Sequence, residues 1–165
     1  MKKALLVAVL MGVTEQGWAG DECNDALRAL MRIQARAEIG VSSADFDRLL
    51  GDANLEVKLC AASKVGLRKP KAVEELRSAI TAYSDAGAIS DLRRRTRGVR
   101  TGGYIPASDS FYQFLLRTRP ALMKDQKEGG VLVVINGESN IEVDVLLSHE
   151  WARAEAKTKA AAALL

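Results

Sequence analysis

The chain has few of the side chains on which hydrolytic and metal chemistry depends: among its 165 residues there are one histidine and two cysteines. Hydrolase triads need a base, and the single histidine, His149 in the run SHEW, has no Gly-x-Ser-x-Gly nucleophile elbow to act on. Two cysteines and one histidine do not make a four-ligand zinc site without carboxylate help. Phosphate-loop and dinucleotide-binding motifs are missing as well. We therefore expect no cofactor and no metal, and we expect His149 to be a surface or partly packed residue.

Long apolar runs are also scarce, and the one at residues 4–13 is too short to cross a bilayer. Two lysines precede this run, and small residues, including Ala19, stand before Gly20. This layout is typical of a secretory signal peptide over residues 1–19, with a retained N-terminal helix as the alternative. We expect a periplasmic or secreted protein with no permanent membrane anchor.

Charge of one sign is not in large excess either. The formal net charge is +3, and the predicted leader carries two of the lysines. A chain so near to balance gives no compositional indication of specific nucleic-acid binding. Residues 20–165 are enough for one hydrophobic core, so we expect a single helical domain.

The best-specified local structure is a helical hairpin around the run EIGVSSADFDRLLGDA, residues 38–53. Apolar residues recur at three and four over Glu22–Ile39, and Gly40 then suits a left-handed helix end. Ser42 is placed to cap a second helix over Ser43–Ala62, and Asp45 follows it at the capping-box spacing. The pair Val41 and Phe46 occupies the positions of a hydrophobic staple. Because these signals agree, we expect a sharp turn between two antiparallel helices.

The turn also aligns the two cysteines. Cys23 lies 18 residues before Val41 and Cys60 lies 19 residues after it. Two antiparallel helices therefore bring the cysteines to nearly the same height, which predicts a Cys23–Cys60 disulfide. In an exported protein, closing this loop would stabilise the fold by about 3 to 4 kcal/mol. Two buried thiols are the alternative.

Further along, helical periodicity begins at Pro70 and ends in the basic run RRRTRG, and another helix begins near Ser108 and stops near Pro120. The glycine-rich residues 98–109 read as a loop. Residues 131–135 read as extended and residues 141–163 as helix, with a short β-hairpin near residues 131–145 as the alternative. We expect an all-α fold: a compact bundle of four to five helices with a disulfide-linked N-terminal hairpin.

Residues 26–57 resemble small exported bacterial all-helical domains that form a family of unknown function. The resemblance is carried by Glu38 with Gly40 and Val41, the pair Asp45 and Phe46, and the run Gly51-Asp52-Ala53. Trp151 in the last helix is a further match. The resemblance implies an exported helical domain and implies no activity.

One basic segment stands out as a candidate binding site. Basic side chains at a helix C-terminus are favoured by the helix dipole, which explains part of this cluster. Arginine forks also suit carboxylate and phosphate groups, so the segment is a candidate for binding a partner. Its residues are Arg93, Arg94, Arg95, Arg97, Arg100 and Tyr104.

These observations favour a non-enzymatic interaction domain that binds a protein partner in the periplasm, one form of which is an immunity or inhibitor protein. A binder of polyanions or cell-wall fragments through residues 93–104 is an alternative. A second alternative is a small cell-wall enzyme, because paired carboxylates can run glycoside chemistry without histidine. The carboxylates near the turn are Glu38, Asp45, Asp47 and Asp52.

Overall fold

A computed structural model of the protein describes residues 22–96 and 103–165, so the predicted leader lies outside the described residues. The chain is mostly helical, as predicted, and a small antiparallel sheet of strand order β1-β3-β2 is added to the helices. None of the described helices is long and apolar enough to cross a membrane. The helices are α1 (Glu22–Ile39), α2 (Ser43–Ala62), α3 (Lys64–Arg68), α4 (Pro70–Thr96), α5 (Ser110–Thr118) and α6 (Val143–Leu164), and the strands are β1 (Tyr104–Pro106), β2 (Leu132–Ile135) and β3 (Glu138–Glu142).

The turn between α1 and α2 has the predicted left-handed glycine and the predicted N-cap. Gly40 adopts a left-handed conformation with a φ of 85°. The Ser42 hydroxyl oxygen accepts a hydrogen bond from the Asp45 backbone N–H at 3.1 Å, which satisfies a donor that has no partner inside the helix. The predicted disulfide between Cys23 and Cys60 is present, with the two Cα atoms 4.5 Å apart. The N-terminal hairpin is therefore pinned at its open end.

The buried side chains form two clusters. The first, which we call the helical half, joins α1, α2, the first part of α4 and the last part of α6. Many of its buried residues are alanines, so the helix backbones can approach one another closely. Its larger side chains are Leu30, Ile33, Phe46, Val57, Leu76 and Tyr83.

The second cluster, which we call the sheet half, lies where the last part of α4 and the first part of α6 meet the sheet and α5. Both long helices therefore contribute to both halves. The buried residues of the sheet half are Ile89, Ile105, Tyr112, Leu115, Val131, Ile141, Val143 and Leu146.

The C-terminal third contains a β-hairpin, which was the alternative prediction for residues 131–145. Strands β2 and β3 pair antiparallel through a turn at Asn136 and Gly137, which both have positive φ, as an Asn-Gly hairpin turn requires. Ile141 therefore belongs to β3, and the last helix begins at Val143, two residues later than predicted.

Helix α3 and strand β1 were not predicted. Helix α3 is a single short turn capped by Ser63. Strand β1 lies within residues predicted to be loop, and it forms because Ile105 pairs opposite Ile141, which is distant in the chain. Such pairing leaves no local sequence pattern.

Candidate functional site

A cleft of about 330 Å³ lies between the α1–α2 turn, the second half of α4 and α6. We call it the arginine cleft. Its lining includes Arg93 and Arg94, two of the predicted binding arginines, and residues of the turn between α1 and α2. The residues that matter below are Ser43, Phe46, Gly87, Arg93, Arg94 and Trp151.

Arg93 and Arg94 are held by partners from other helices. The Arg93 Nε lies 2.7 Å from Oδ1 of Asp144 at the start of α6, and the Arg93 side chain is 36% exposed. Arg94 donates to the Ser43 hydroxyl and pairs with the Asp91 carboxylate, while the Ser43 hydroxyl donates to Asp91 at 2.8 Å. Because these contacts orient the guanidinium groups and leave them partly exposed, the cleft presents ordered hydrogen-bond donors.

The apolar wall of the cleft is aromatic. The rings of Phe46 and Trp151 meet edge to face with centroids 5.9 Å apart, and Tyr83 meets Trp151 at 5.6 Å. A Cβ atom placed on Gly87 would lie 2.6 Å from Cε1 of Phe46, so only glycine lets the Phe46 ring reach its observed position. Phe46 and Tyr83 are buried, whereas Trp151 is partly exposed and lines the cleft.

The structure brings together only part of the predicted basic segment. The side chain of Arg95 is not among the described ones, and Arg97 and Arg100 lie outside the described residues. Tyr104 begins β1, where it is half-buried and opposite Glu142, and it does not line the cleft. Among the described side chains, the candidate site therefore reduces to Arg93 and Arg94 with their neighbours.

The carboxylates near the turn are spread over different surroundings. Asp45 accepts the Ser42 hydroxyl at 2.7 Å and pairs with Arg48. Asp47 lines the arginine cleft, Glu38 lines a separate hollow, and Asp52 is exposed on α2.

His149 is half-buried on α6 and lines two open hollows. Within residues 22–96 and 103–165, no three His, Cys, Asp or Glu side chains come together in a way that could hold a metal ion.

A charged network was missed by the sequence reasoning. Glu150 of α6 has a side chain only 3% exposed, and Arg119 and Arg153 lie 3.4 Å and 3.0 Å from its carboxylate oxygens. The same two arginines reach Asp85 of α4, at 2.5 Å and 3.2 Å. Four charges therefore close a ring between α4, α6 and the end of α5. We call it the charge ring.

Burial raises the pKa of both carboxyl groups in the charge ring. For Asp85, the positive charge of Arg119 and its hydrogen bond offset part of the rise in pKa. For Glu150, Arg119 again lowers the pKa, and the nearby Asp85 charge adds to the rise. The sequence does indicate that Glu150 is buried, because it occupies the same helical face as Leu146, Ala154 and Thr158.

Compared with models of protein families, with curated proteins and with solved structures, the chain matches none of them. The resemblance of residues 26–57 to exported helical domains therefore stays a prediction.

Proposed function

We propose that this protein is an exported, non-enzymatic interaction domain that binds a protein partner through the arginine cleft. The observation that carries the proposal is a juxtaposition: Arg93 and Arg94, predicted as binding residues, line one cleft with the α1–α2 turn. The left-handed Gly40 and the Ser42 cap define the turn, and the disulfide holds the other end of the same hairpin. A rigid hairpin facing ordered arginines is a suitable surface for recognition.

The periplasm, or the space outside the cell, is the compartment we infer. The predicted leader at residues 1–19 would direct export and leave residues 20–165 as a single domain. The Cys23–Cys60 disulfide supports this inference, because such bonds persist in oxidising compartments and are rare in the cytosol.

The side chains of the cleft limit the kinds of partner segment that can bind there. Guanidinium groups pair with carboxylates through two parallel hydrogen bonds, and aromatic rings accommodate an apolar side chain. We therefore infer a partner segment in which a carboxylate stands next to an apolar side chain. An immunity or inhibitor protein that neutralises a periplasmic toxin or hydrolase is one form of this function.

A direct test compares proteins recovered after mild crosslinking in the native periplasm. The bait is the tagged full chain, either wild type or carrying Arg93→Ala and Arg94→Ala. Arg32→Ala with Arg77→Ala is the matched control, because both arginines are exposed and neither lines the cleft. Exposed ion pairs contribute about 0 to 1 kcal/mol each, so the variants should stay folded, which a thermal melt would verify.

A protein recovered by the wild type and the control but lost in the cleft variant is the expected result. Equal recovery by all three baits would contradict the use of this cleft.

The arginines also favour a second candidate, a binder of anionic cell-wall fragments. That function predicts an affinity that falls steeply with salt and that depends on the number of arginines. A protein partner held by an aromatic wall should depend on salt much less.

A further inference from the structure

A second concavity, of about 260 Å³, lies on the neighbouring surface and shares Trp151 and Ala37 with the arginine cleft. We call it the acidic hollow. Apart from these two shared residues, its lining consists of Gln34 and Glu38 of α1, Tyr83 of α4 and Glu155 of α6. Two carboxylates and two aromatic residues therefore line it, and no lysine or arginine does.

The Tyr83 hydroxyl is an independent sign that the hollow is suited to a ligand. Tyr83 is fully buried, yet its hydroxyl has no hydrogen-bond partner among the described residues. A buried polar group without a partner is costly in a native structure. Thr158 lies close to the hydroxyl, and because its own hydrogen is donated to the Ala154 carbonyl it can only accept from Tyr83, so the Tyr83 oxygen still lacks a donor.

The carboxylates of the hollow act on the Tyr83 hydroxyl. Burial is the main reason why the pKa of Tyr83 is raised, Thr158 lowers it in part, and the charges of Glu155 and Glu38 raise it further. The two carboxylates that raise the pKa of Tyr83 are thus the two that line the hollow together with it.

One of the two carboxylates already pairs with an ammonium group. Nζ of the exposed Lys159 lies 2.5 Å from Oε1 of Glu155, while Glu38 accepts a weaker hydrogen bond from Gln34 at 3.4 Å. The hollow therefore combines the negative charge of Glu38 and Glu155 with the partly exposed ring of Trp151. Aromatic rings and carboxylates together attract weakly hydrated organic cations.

We propose that the acidic hollow binds a small organic ammonium cation, with the cation against the Trp151 ring and its charge balanced by Glu38 and Glu155. The proposal does not depend on the function of the arginine cleft. Choline suits the site, because its trimethylammonium group loses little hydration on entering an aromatic pocket and its hydroxyl can pair with that of Tyr83.

The test uses choline and tetramethylammonium as probes, at constant ionic strength. The full chain carries Trp18→Phe, so that the fluorescence signal comes from Trp151, and calorimetry at two temperatures registers binding that leaves the fluorescence unchanged. The neutral isostere 3,3-dimethyl-1-butanol has the shape of choline without its charge. We expect saturable binding of both cations and at least about tenfold weaker binding of the alcohol.

Substitutions locate the site. Glu38→Gln with Glu155→Gln should weaken choline binding about tenfold, because both countercharges are lost. Asp52→Asn with Glu74→Gln removes two exposed carboxylates elsewhere and should change nothing. Lys159→Gln should strengthen binding, because a competing ammonium is removed. The Arg93→Ala and Arg94→Ala variant should bind choline as the wild type does, so the two proposals can fail separately.

Three results would overturn the proposal: no saturable binding by either method, equal affinity for choline and its neutral isostere, or unchanged affinity in the Glu38→Gln and Glu155→Gln variant.

A separate experiment identifies the source of the cation. Competition by phosphatidylcholine vesicles, but not by phosphatidylglycerol vesicles, would identify a lipid headgroup, and its absence would identify a free solute.

Discussion

The helical half and the sheet half achieve their packing by opposite means. The helical half buries seven alanines, which let helices approach closely, and a covalent bond then ties two of those helices together. The sheet half buries branched aliphatic side chains and a tyrosine, and backbone pairing between distant strands supplies its order. One half therefore depends on helix contacts and a crosslink, and the other depends on non-local hydrogen bonds.

The charge ring marks the boundary between the two halves. Asp85 lies between Tyr83 of the helical half and Ile89 of the sheet half, and Glu150 lies between Leu146 and Ala154 in the same way. Charges are tolerated there because each carboxylate has two arginine partners. The contributions of the two halves and of the charge ring to stability can be compared by substitutions in each.

Removing the crosslink should have the largest effect. Cys23→Ala with Cys60→Ala is expected to lower the free energy of unfolding by about 3 to 4 kcal/mol, because the unfolded chain regains its loop entropy. Chemical denaturation measures the loss, and hydrogen exchange should show it most strongly in α1. A variant as stable as the oxidised wild type would show that packing alone holds the hairpin.

Breaking the boundary should cost nearly as much. Arg119→Ala removes a partner from buried Glu150 and from Asp85, and we expect a loss of about 3 kcal/mol. Arg117→Ala, on an exposed arginine two residues earlier, is the control and should change stability by less than about 0.5 kcal/mol. Similar losses in the two variants would mean that the charge ring contributes nothing specific.

An intermediate effect is expected from overpacking the helical half. Gly87→Ala should cost about 1 to 3 kcal/mol, because the new methyl group meets the Phe46 ring at 2.6 Å. Gly51→Ala on α2 is the matched control: a Cβ there meets nothing within 4 Å, and alanine is the better helix former, so stability should rise. Denaturation followed by tryptophan fluorescence would separate the two outcomes.

A smaller, paired change compares the cores directly. Ile33→Val in the helical half and Ile141→Val in the sheet half each remove one methylene from a fully buried side chain. Each should cost about 0.5 to 1.5 kcal/mol. Since α4 and α6 run through both halves, unfolding should stay a single transition in both variants, as coincident fluorescence and circular dichroism curves would show. Two separate transitions in the Ile141→Val variant would mean that the halves unfold independently.

The smallest effect should be a dependence of stability on pH. Because the folded-state pKa of Asp85 and of Glu150 is raised, the folded protein binds more protons than the unfolded chain just above the ordinary carboxyl range. This contribution to stability is therefore complete below about pH 4 and is lost as pH rises through the raised pKa values. Glu150→Gln should flatten the slope relative to the wild type, and Glu74→Gln should leave it unchanged. Denaturant midpoints over this range would measure both slopes.

The helical half was more predictable from the sequence than the sheet half. Its turn depends on residues close together in the chain, whereas the sheet depends on pairing between distant residues. Gly40, Ser42 and Phe46 act within one turn of chain, so their roles, and the alignment of Cys23 with Cys60, could be worked out from spacing alone. Strand β1 could not, because Ile105 becomes a strand residue only through pairing with Ile141. A local sequence pattern does not reveal a strand partner that is distant in the chain.

The candidate site was predictable only in part. Arg93 and Arg94 stood out as a basic run, but their placement beside Ser43 depends on how α4 packs against the hairpin. The acidic hollow combines side chains from three helices, and no single stretch of sequence reports it. Glu150 could have been noticed as a charge on a buried helical face, although its two arginine partners lie on either side of it in the chain.

Trp151 lies between the arginine cleft and the acidic hollow and contributes to the lining of both. An occupant of one concavity that shifts the indole ring alters the shape of the other. Thermodynamic reciprocity then applies: if filling the hollow changes the affinity of the cleft by some factor, filling the cleft changes the affinity of the hollow by the same factor. If both proposed ligands bind, Trp151 is therefore the side chain through which a small solute would alter the affinity of the cleft for its partner.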